Sequence, residues 1–281
     1  MREPTFEVVI GFKGVGKTFL TNQIINSYIT SGENGRKGRP ALVFDVNNEF
    51  CESNGYSGYK AIDFDVTEKD DFRRSEQIRN IKVAGKYRIV PYKKNGQPMN
   101  ISELMKTAST IVTYYRNGLL LLEDFNKYAL SNFKTDFVGM FIGLRHLGVD
   151  LIAHFQSLRA IPPKVWSEMG YLRWHKQSEK IYKFRNRISN LELFSIAEEI
   201  VDYKYQINPR FYLWVSTMEN KLIGVTEEDM REGCIRYLSA NPGEINKMTH
   251  YIDIKGVKKY NTTQEAVNGF ISEKTALYLK T

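Results

Sequence analysis

Short apolar runs alternate with amphipathic stretches along most of this chain, and several of the runs end in a glycine or in acids. Phe6, Val8, Val9 and Ile10 predict a short, partly β-branched strand. Phe19, Leu20, Ile24, Ile25 and Tyr28 then recur at helical spacing, in a helix ending near Thr30. Residues 31–40 are polar and glycine-rich, a loop. Residues 41–46 predict a second strand, with Asp45 and Glu49 at its C-terminal end. Shorter strands are predicted at 60–64 and 86–92, on either side of a charged stretch at 67–80. The spacing predicts a helix over 102–115, with Ile101, Leu104, Met105, Ala108, Ile111 and Val112 on one face and Asn100 or Ser102 as its cap. Four consecutive leucines at 119–122, bounded by Gly118 and by Glu123 and Asp124, read as a fully buried parallel strand. A helix follows at 132–147, then a buried strand at 148–157 with Gln156 at its C-terminal end. Beyond Pro162 the pattern predicts a short helix at 161–166, strands at 171–174 and 180–185, a helix at 191–201, and a hairpin of 210–215 with 221–225. Helices near 226–239 and 262–278 close the chain in a different rhythm. Strands alternating with helices predict an α/β fold, a mostly parallel sheet flanked by helices. The expected organisation is one α/β domain at 1–225 and a mostly helical extension at 226–281.

Between the first strand and the first helix stands G-F-K-G-V-G-K-T. Gly11, Gly16, Lys17 and Thr18 fit G-x-x-x-x-G-K-[ST], the P-loop or Walker A spacing, with the strand and helix that the motif requires on its two flanks. Glycines let backbone N–H groups turn inward, and a helix N-terminus favours negative charge there. Gly11, Lys13, Gly14, Val15, Gly16, Lys17, Thr18 and Phe19 are therefore the candidate ATP-binding residues. Lys17 would reach the β- and γ-phosphates, and the Thr18 hydroxyl would hold Mg²⁺. Lys13 either adds charge near the phosphates or is a solvated loop lysine. A purely structural strand explains the leucines at 119–122 but not the acids that follow. In a chain with a P-loop, an apolar strand ending in Glu123 and Asp124 is the Walker B pattern, which addresses Mg²⁺ and the attacking water.

Composition adds little that conflicts. The 281 residues are 42% hydrophobic and 26% charged, an ordinary globular mixture able to bury a core. The net charge of +8 permits a polyanionic partner. The two cysteines, Cys51 and Cys234, have no metal spacing, and a reduced compartment such as the cytoplasm is expected. His146, His154, His175 and His250 are scattered and read as structural or surface groups rather than metal ligands. No stretch approaches the roughly 18 to 20 apolar residues that span a bilayer. The N-terminus runs directly into the first strand, with no signal peptide pattern before it.

Several short motifs coincide in one resemblance. The second strand ends D-V-N-N-E-F, similar to the D-x-x-G-E-[YF] of HerA-like ATPases, with Asn48 in place of the usual glycine. The segment Arg145-His-Leu-Gly-Val-Asp-Leu-Ile-Ala-His-Phe-Gln156 looks like the R-[KH]-x-G-[VI]-x-hhh-x-x-Q segment of the FtsK/HerA superfamily. The likeness covers about residues 5 to 185, and its discriminating part is this last segment. The superfamily comprises ring-forming motors that pump DNA, and the length of this chain is most similar to the packaging ATPases of viruses with an internal membrane. The resemblance implies an ASCE/RecA-like P-loop core, ATP and Mg²⁺ as ligands, and DNA of either strandedness as partner. It further implies a homo-oligomeric ring such as a hexamer, working against a capsid or membrane-associated portal. It gives Lys17, Glu123, Asp124, Gln156 and Arg145 catalytic roles, with Thr18 and Glu123 on the metal, Gln156 sensing the γ-phosphate and Arg145 acting as an arginine finger. The family usually has Asp then Glu at the Walker B acids; here the order is reversed. If the register holds, Glu123 serves the Mg²⁺ shell and Asp124 polarises water.

The DNA-contacting surface is open among three candidates. Residues 174–187 interleave basic and aromatic residues, which suits a phosphate track with stacking groups and equally a lysine-guarded sheet edge. The loop 126–135 and the group Arg36, Lys37 and Arg39 are the others. Two further readings of the whole chain stand beside the packaging motor. One is a Zot-like phage extrusion ATPase, a class that usually carries a membrane anchor. The other is a P-loop switch or kinase-like protein without motor action.

Overall fold

The computed structural model describes residues 3–32, 35, 37–128, 143–252, 254 and 257–279. The chain divides into two compact units, Met1–Gly170 and Tyr171–Thr281. The strands expected at 171–174 and 210–225 thus group with the C-terminal helices.

In the first unit the apolar runs form six strands: β1 Phe6–Ile10, β2 Pro40–Phe44, β3 Tyr59–Ala61, β4 Gly85–Ile89, β5 Leu119–Leu122 and β6 Asp150–Phe155. They lie in the order β3-β4-β2-β5-β6-β1, every pair parallel. The helices are α1 Lys17–Ile29, α2 Asp71–Arg79, α3 Ile101–Tyr114 and α4 Pro163–Glu168. β2 and β5 are buried along their whole length, which is why their sequence shows continuous apolar runs rather than alternation. Val9, Val43, Leu121 and Ile152 from four strands pack with Ile25 of α1 in one core cluster. Gly118 is required where β5 begins: a Cβ there would lie 2.6 Å from the Pro40 carbonyl oxygen of β2. Because all six strands run the same way, the residues after β1, β2, β5 and β6 emerge on one edge. β1 and β2, consecutive in sequence, are separated there by β5 and β6, so the crevice lies at a topological switch point.

Particular expectations are adjusted. The charged stretch at 67–80 contains α2, capped by the Asp70 carboxylate, which accepts the Phe72 and Arg73 N–H groups. α3 starts from a capping box of Asn100 and Glu103, which decides between the two cap candidates. Its buried face is Leu104, Thr107, Ala108, Thr110, Ile111 and Val112, whereas Ile101 and Met105 are exposed. Of the helix expected at 132–147, residues 132–142 lie outside the described residues, and 143–146 are helical.

The second unit contains an antiparallel sheet of β7 Tyr171–His175, β8 Tyr212–Ser216 and β9 Lys221–Ile223. Its helices are α5 Leu191–Ile207, α6 Glu227–Ala240, α7 Pro242–His250 and α8 Thr263–Tyr278. α6 begins at a capping box of Thr226 and Asp229 and approaches α5 through Gly233, whose added Cβ would lie 3.0 Å from Ile200 Cδ1. Of residues 180–185, expected as a strand, Lys180 is instead the N-cap and 181–185 are part of the 3₁₀ helix Ile181–Arg187. Ile181 and Phe184 are its buried residues, three apart, matching three residues per turn.

Candidate nucleotide-binding site

After β1 the chain turns through Gly11, Gly14 and Gly16, whose φ angles are 149°, 88° and 94°. Residues with a Cβ rarely adopt these values, so the turn depends on glycine at all three positions. Val15 is buried and pins the loop from beneath, while Phe12, Lys13 and Gly14 are exposed. Lys17 folds back over the loop. Its ammonium donates to the Gly11 carbonyl at 2.6 Å and the Phe12 carbonyl at 2.7 Å. α1 starts at Lys17 with Gly16 as its N-cap, no side chain caps it, and its first turn holds no acid. An uncapped helix start over a glycine loop with a lysine folded above it is a place for an anion. Phe19, one residue beyond Thr18, is half exposed.

The acids reach this loop from β2 and β5. Asp45, fully buried, accepts the Glu49 N–H at 2.7 Å and the Phe50 N–H at 3.0 Å, closing the turn that follows β2. Arg88 of β4 donates to Asp45 Oδ2 at 3.1 Å and to Asn48 Oδ1 at 2.8 Å. Asn48 has a φ of 53°. That conformation favours glycine, and asparagine is among the few other residues that tolerate it, so the change from the HerA-like pattern keeps the turn. The turn presents Glu49 to the P-loop, where the Thr18 hydroxyl donates to Glu49 Oε2 at 3.0 Å. Glu123, at the end of β5, is only 3% exposed, and its Oε2 has no hydrogen-bond partner. Burial first, then the nearby charges of Glu49 and Asp45, push its carboxyl well above the usual range.

Asp124 has a φ of 42°, an unusual conformation for a residue with a Cβ. Its carboxylate accepts from Gln156 Nε2, at the end of β6, at 2.8 Å. Asn47 Nδ2 lies 3.5 Å from the other oxygen and the Lys127 ammonium 3.7 Å from it. Lys127 also donates to Asn47 Oδ1. The structure therefore brings together Lys17 with its loop, Thr18 with Glu49, and Asp124 with Gln156, all on the C-terminal edge of the parallel sheet. Arg145 stands apart from these contacts: it is exposed, and its Nη2 donates to the Glu168 carbonyl at 2.8 Å. His154 lies inside β6, within 2.9 Å of the Thr21 hydroxyl.

Sequence reasoning left Glu49, Asn47, Arg88 and Lys127 out of the site. The acid run D-V-N-N-E was visible; which acid meets Thr18 depends on a turn fixed by Arg88, 39 residues from Glu49 in the sequence.

No protein-family model and no curated protein matches the sequence. Solved structures do match in shape. The genome packaging NTPase B204 of Sulfolobus turreted icosahedral virus 2, in complex with AMP, superposes with a TM-score of 0.50 at 14% identity, covering 80% of this chain and 99% of that one. The same protein with AMPPCP gives a TM-score of 0.50 at 13% identity, covering 78% and 95%. The chain has the fold of a viral packaging NTPase. In its sheet β6 lies between the P-loop strand β1 and the acid-bearing strand β5.

The residues fit a magnesium ion delivered with a nucleotide. Among the described residues no group of three His, Cys, Asp or Glu side chains forms a metal cage. Mg²⁺ bound with nucleotides needs no such cage, because phosphates and waters supply most of its ligands and the protein one or two. The Thr18 hydroxyl and the unpartnered Glu123 oxygen, with Glu49 beside them, are the available oxygens.

The DNA candidates are sorted by burial. Trp174 and His175 are buried in β7. Lys176 is paired with Asp202 at 2.6 Å, and Lys180 with Asp202 at 3.0 Å. On the 3₁₀ helix Tyr182, Lys183, Arg185, Asn186 and Arg187 are exposed, as are Ser178 and Lys180 before it. The Arg185 guanidinium lies over the Tyr182 ring at 4.6 Å. Arg39 is committed to the Gly148 carbonyl and, at 3.4 Å, to Asp150. Arg36 and residues 129–135 lie outside the described residues. No helix among the described residues is long and apolar enough to cross a membrane.

Proposed function

We propose that this chain is an ATPase that drives DNA movement, of the genome-packaging type. The observation that carries the reading is the Gln156–Asp124 hydrogen bond of 2.8 Å beside the P-loop. A protein that only holds a nucleotide needs the loop and its lysine. It does not need a buried carboxylate joined to a polar side chain on the next strand, a pairing suited to orienting water and reporting on its consumption.

Phosphoryl transfer to water asks for position and charge rather than covalent chemistry from the protein. Lys17 would leave the Gly11 and Phe12 carbonyls for the β- and γ-phosphates, while the loop amides and the start of α1 hold the remaining charge. Lys13 and Phe19, both exposed beside the loop, would line the nucleotide. Thr18 and the neighbouring carboxylates would hold Mg²⁺, which when bound would supply neutralisation of the phosphate charge. Asp124 would polarise the attacking water. Gln156, bonded to Asp124, would sense the γ-phosphate and pass its loss to β6. The exposed basic face of 182–187 is the favoured DNA contact in this reading. The reading is tested by ATP turnover with and without DNA.

Arg145 completes the reading by acting on a neighbouring subunit. Lys17 and the groups around Thr18 would serve the nucleotide from its own chain, and charge developing on the γ-phosphoryl group calls for one further cation, which can come in trans. Exposed, with its guanidinium donating to the Glu168 carbonyl, Arg145 can reach outward from its own chain. Arg145→Ala and Lys17→Ala proteins are each expected to be inactive alone. Mixed in one ring, they are expected to regain part of the DNA-stimulated turnover, because some intact Lys17 sites then face intact Arg145 neighbours. No recovery in demonstrably mixed rings, or full turnover by Arg145→Ala alone, would remove the trans role.

A further inference from the structure

We infer that Glu49, on the turn after β2, is the carboxylate that serves the P-loop threonine and the cation side of the nucleotide site, with Glu123 standing behind it. The inference rests on the nucleotide-binding reading above and moves to Glu49 a role that the Walker B position alone would give to Glu123.

The geometry begins at Thr18. A hydroxyl has one proton to donate and two lone pairs to offer. The Thr18 proton points at Glu49 Oε2, 3.0 Å away. With the proton so fixed, the lone pairs of the oxygen are left for a cation. A carboxylate in this position does two things. It sets the rotamer of Thr18, and it places a negative charge one hydroxyl away from the ion. Outer partners of this kind typically change metal affinity by about 10- to 100-fold when removed.

The turn that holds Glu49 is built around that contact. The Glu49 N–H is taken by Asp45 Oδ1 at 2.7 Å, and its carbonyl accepts the Cys51 N–H at 2.9 Å and the Asn54 amide at 3.1 Å. Asn48, immediately before it, is held in the left-handed region by Arg88 at 2.8 Å. The backbone of Glu49 is thus fixed from both sides, and only its side chain points to the P-loop. Glu49 is half-buried, so its carboxylate stays in reach of water and of an incoming ion. Glu123 differs: it is nearly sealed, its neighbours are the acids Asp45 and Glu49, and it makes no contact with Thr18 among those described. Its place is beside Glu49 and Asp45, in the buried layer behind the Thr18 contact.

The test reads binding. The affinity of a non-hydrolysable ATP analogue is measured with and without Mg²⁺ for the wild type and for Glu49→Gln, Glu123→Gln and Glu52→Gln. Glutamine at 49 keeps an oxygen for the Thr18 hydroxyl and removes only the charge. Glu52, exposed three residues on, controls for the general loss of one negative charge. The expected result is that Glu49→Gln loses about tenfold or more of the Mg²⁺-dependent gain in affinity. Its affinity without Mg²⁺ should be equal to or better than that of the wild type. Glu123→Gln should lose less of the gain, and Glu52→Gln none. A full Mg²⁺ gain in Glu49→Gln, or a larger loss in Glu123→Gln than in Glu49→Gln, overturns the inference while leaving the nucleotide site standing. A wild-type protein that binds no analogue in either condition overturns the nucleotide reading and this inference together.

Discussion

Lys17→Ala is expected to remove ATP turnover, by at least about a hundredfold, as the loss of one group aimed at transition-state charge does in other enzymes. The lysine side chain packs no core. Its ammonium rests on two carbonyls of its own loop, at 2.6 and 2.7 Å. Losing these partly solvated bonds costs about 1 kcal/mol, a shift of a few degrees in the melting midpoint for a chain of this size. Turnover and thermal melting measured on one preparation separate the two effects. A variant that melts within a few degrees of the wild type and releases no phosphate fits the account. A variant that still turns over removes the P-loop from the mechanism.

Asp124→Asn is expected to keep binding ATP and Mg²⁺ but to hydrolyse about 10²- to 10⁴-fold more slowly, the range lost with a positioned proton acceptor. The substitution suits the question because asparagine also tolerates the left-handed backbone at this position. Its side-chain oxygen can still accept from Gln156, so the fold and the strand-to-strand contact stay and only the charge goes. Nucleotide affinity and single-turnover hydrolysis are the two measurements. If Asp124→Asn hydrolyses normally and Glu123→Gln does not, the roles of the reversed acid pair are exchanged.

The parts of the site that could be read in the sequence are those fixed locally. The strand, loop and start of α1 lie within 24 consecutive residues, 6–29, and the spacing of glycine, lysine and threonine is itself the geometry. The four leucines of β5 announce a sealed parallel strand, and the acids after them are too polar for that burial to explain. Glu49 was not legible in the same way. Its contact with Thr18 spans 31 residues and depends on Arg88 and Asp45 shaping the turn, which no periodicity records. Residues 180–185 alternate polar and apolar closely enough to suggest a strand, yet Ile181 and Phe184 are the buried pair, and that spacing of three belongs to a 3₁₀ helix. α7 was missed because it buries no residue, so it leaves no apolar stripe. Pro242 at its first position, Glu244 in its first turn and Lys247 and His250 in its last are the signals present.

The proposed function requires ATP hydrolysis at this site to be coupled to DNA. Phosphate release by the wild-type protein, measured with no DNA, with double-stranded DNA and with single-stranded DNA over a range of salt, tests it most directly. The account predicts turnover that rises when one form of DNA is added and a stimulation that fades as salt increases. Each phosphate contact that releases a counterion lowers log affinity by about 0.7 to 0.9 per unit of log salt. Replacing Lys183, Arg185 and Arg187 together should flatten that dependence. Turnover that neither form of DNA changes at any salt concentration would contradict the coupling and leave a nucleotide-binding protein with some other task.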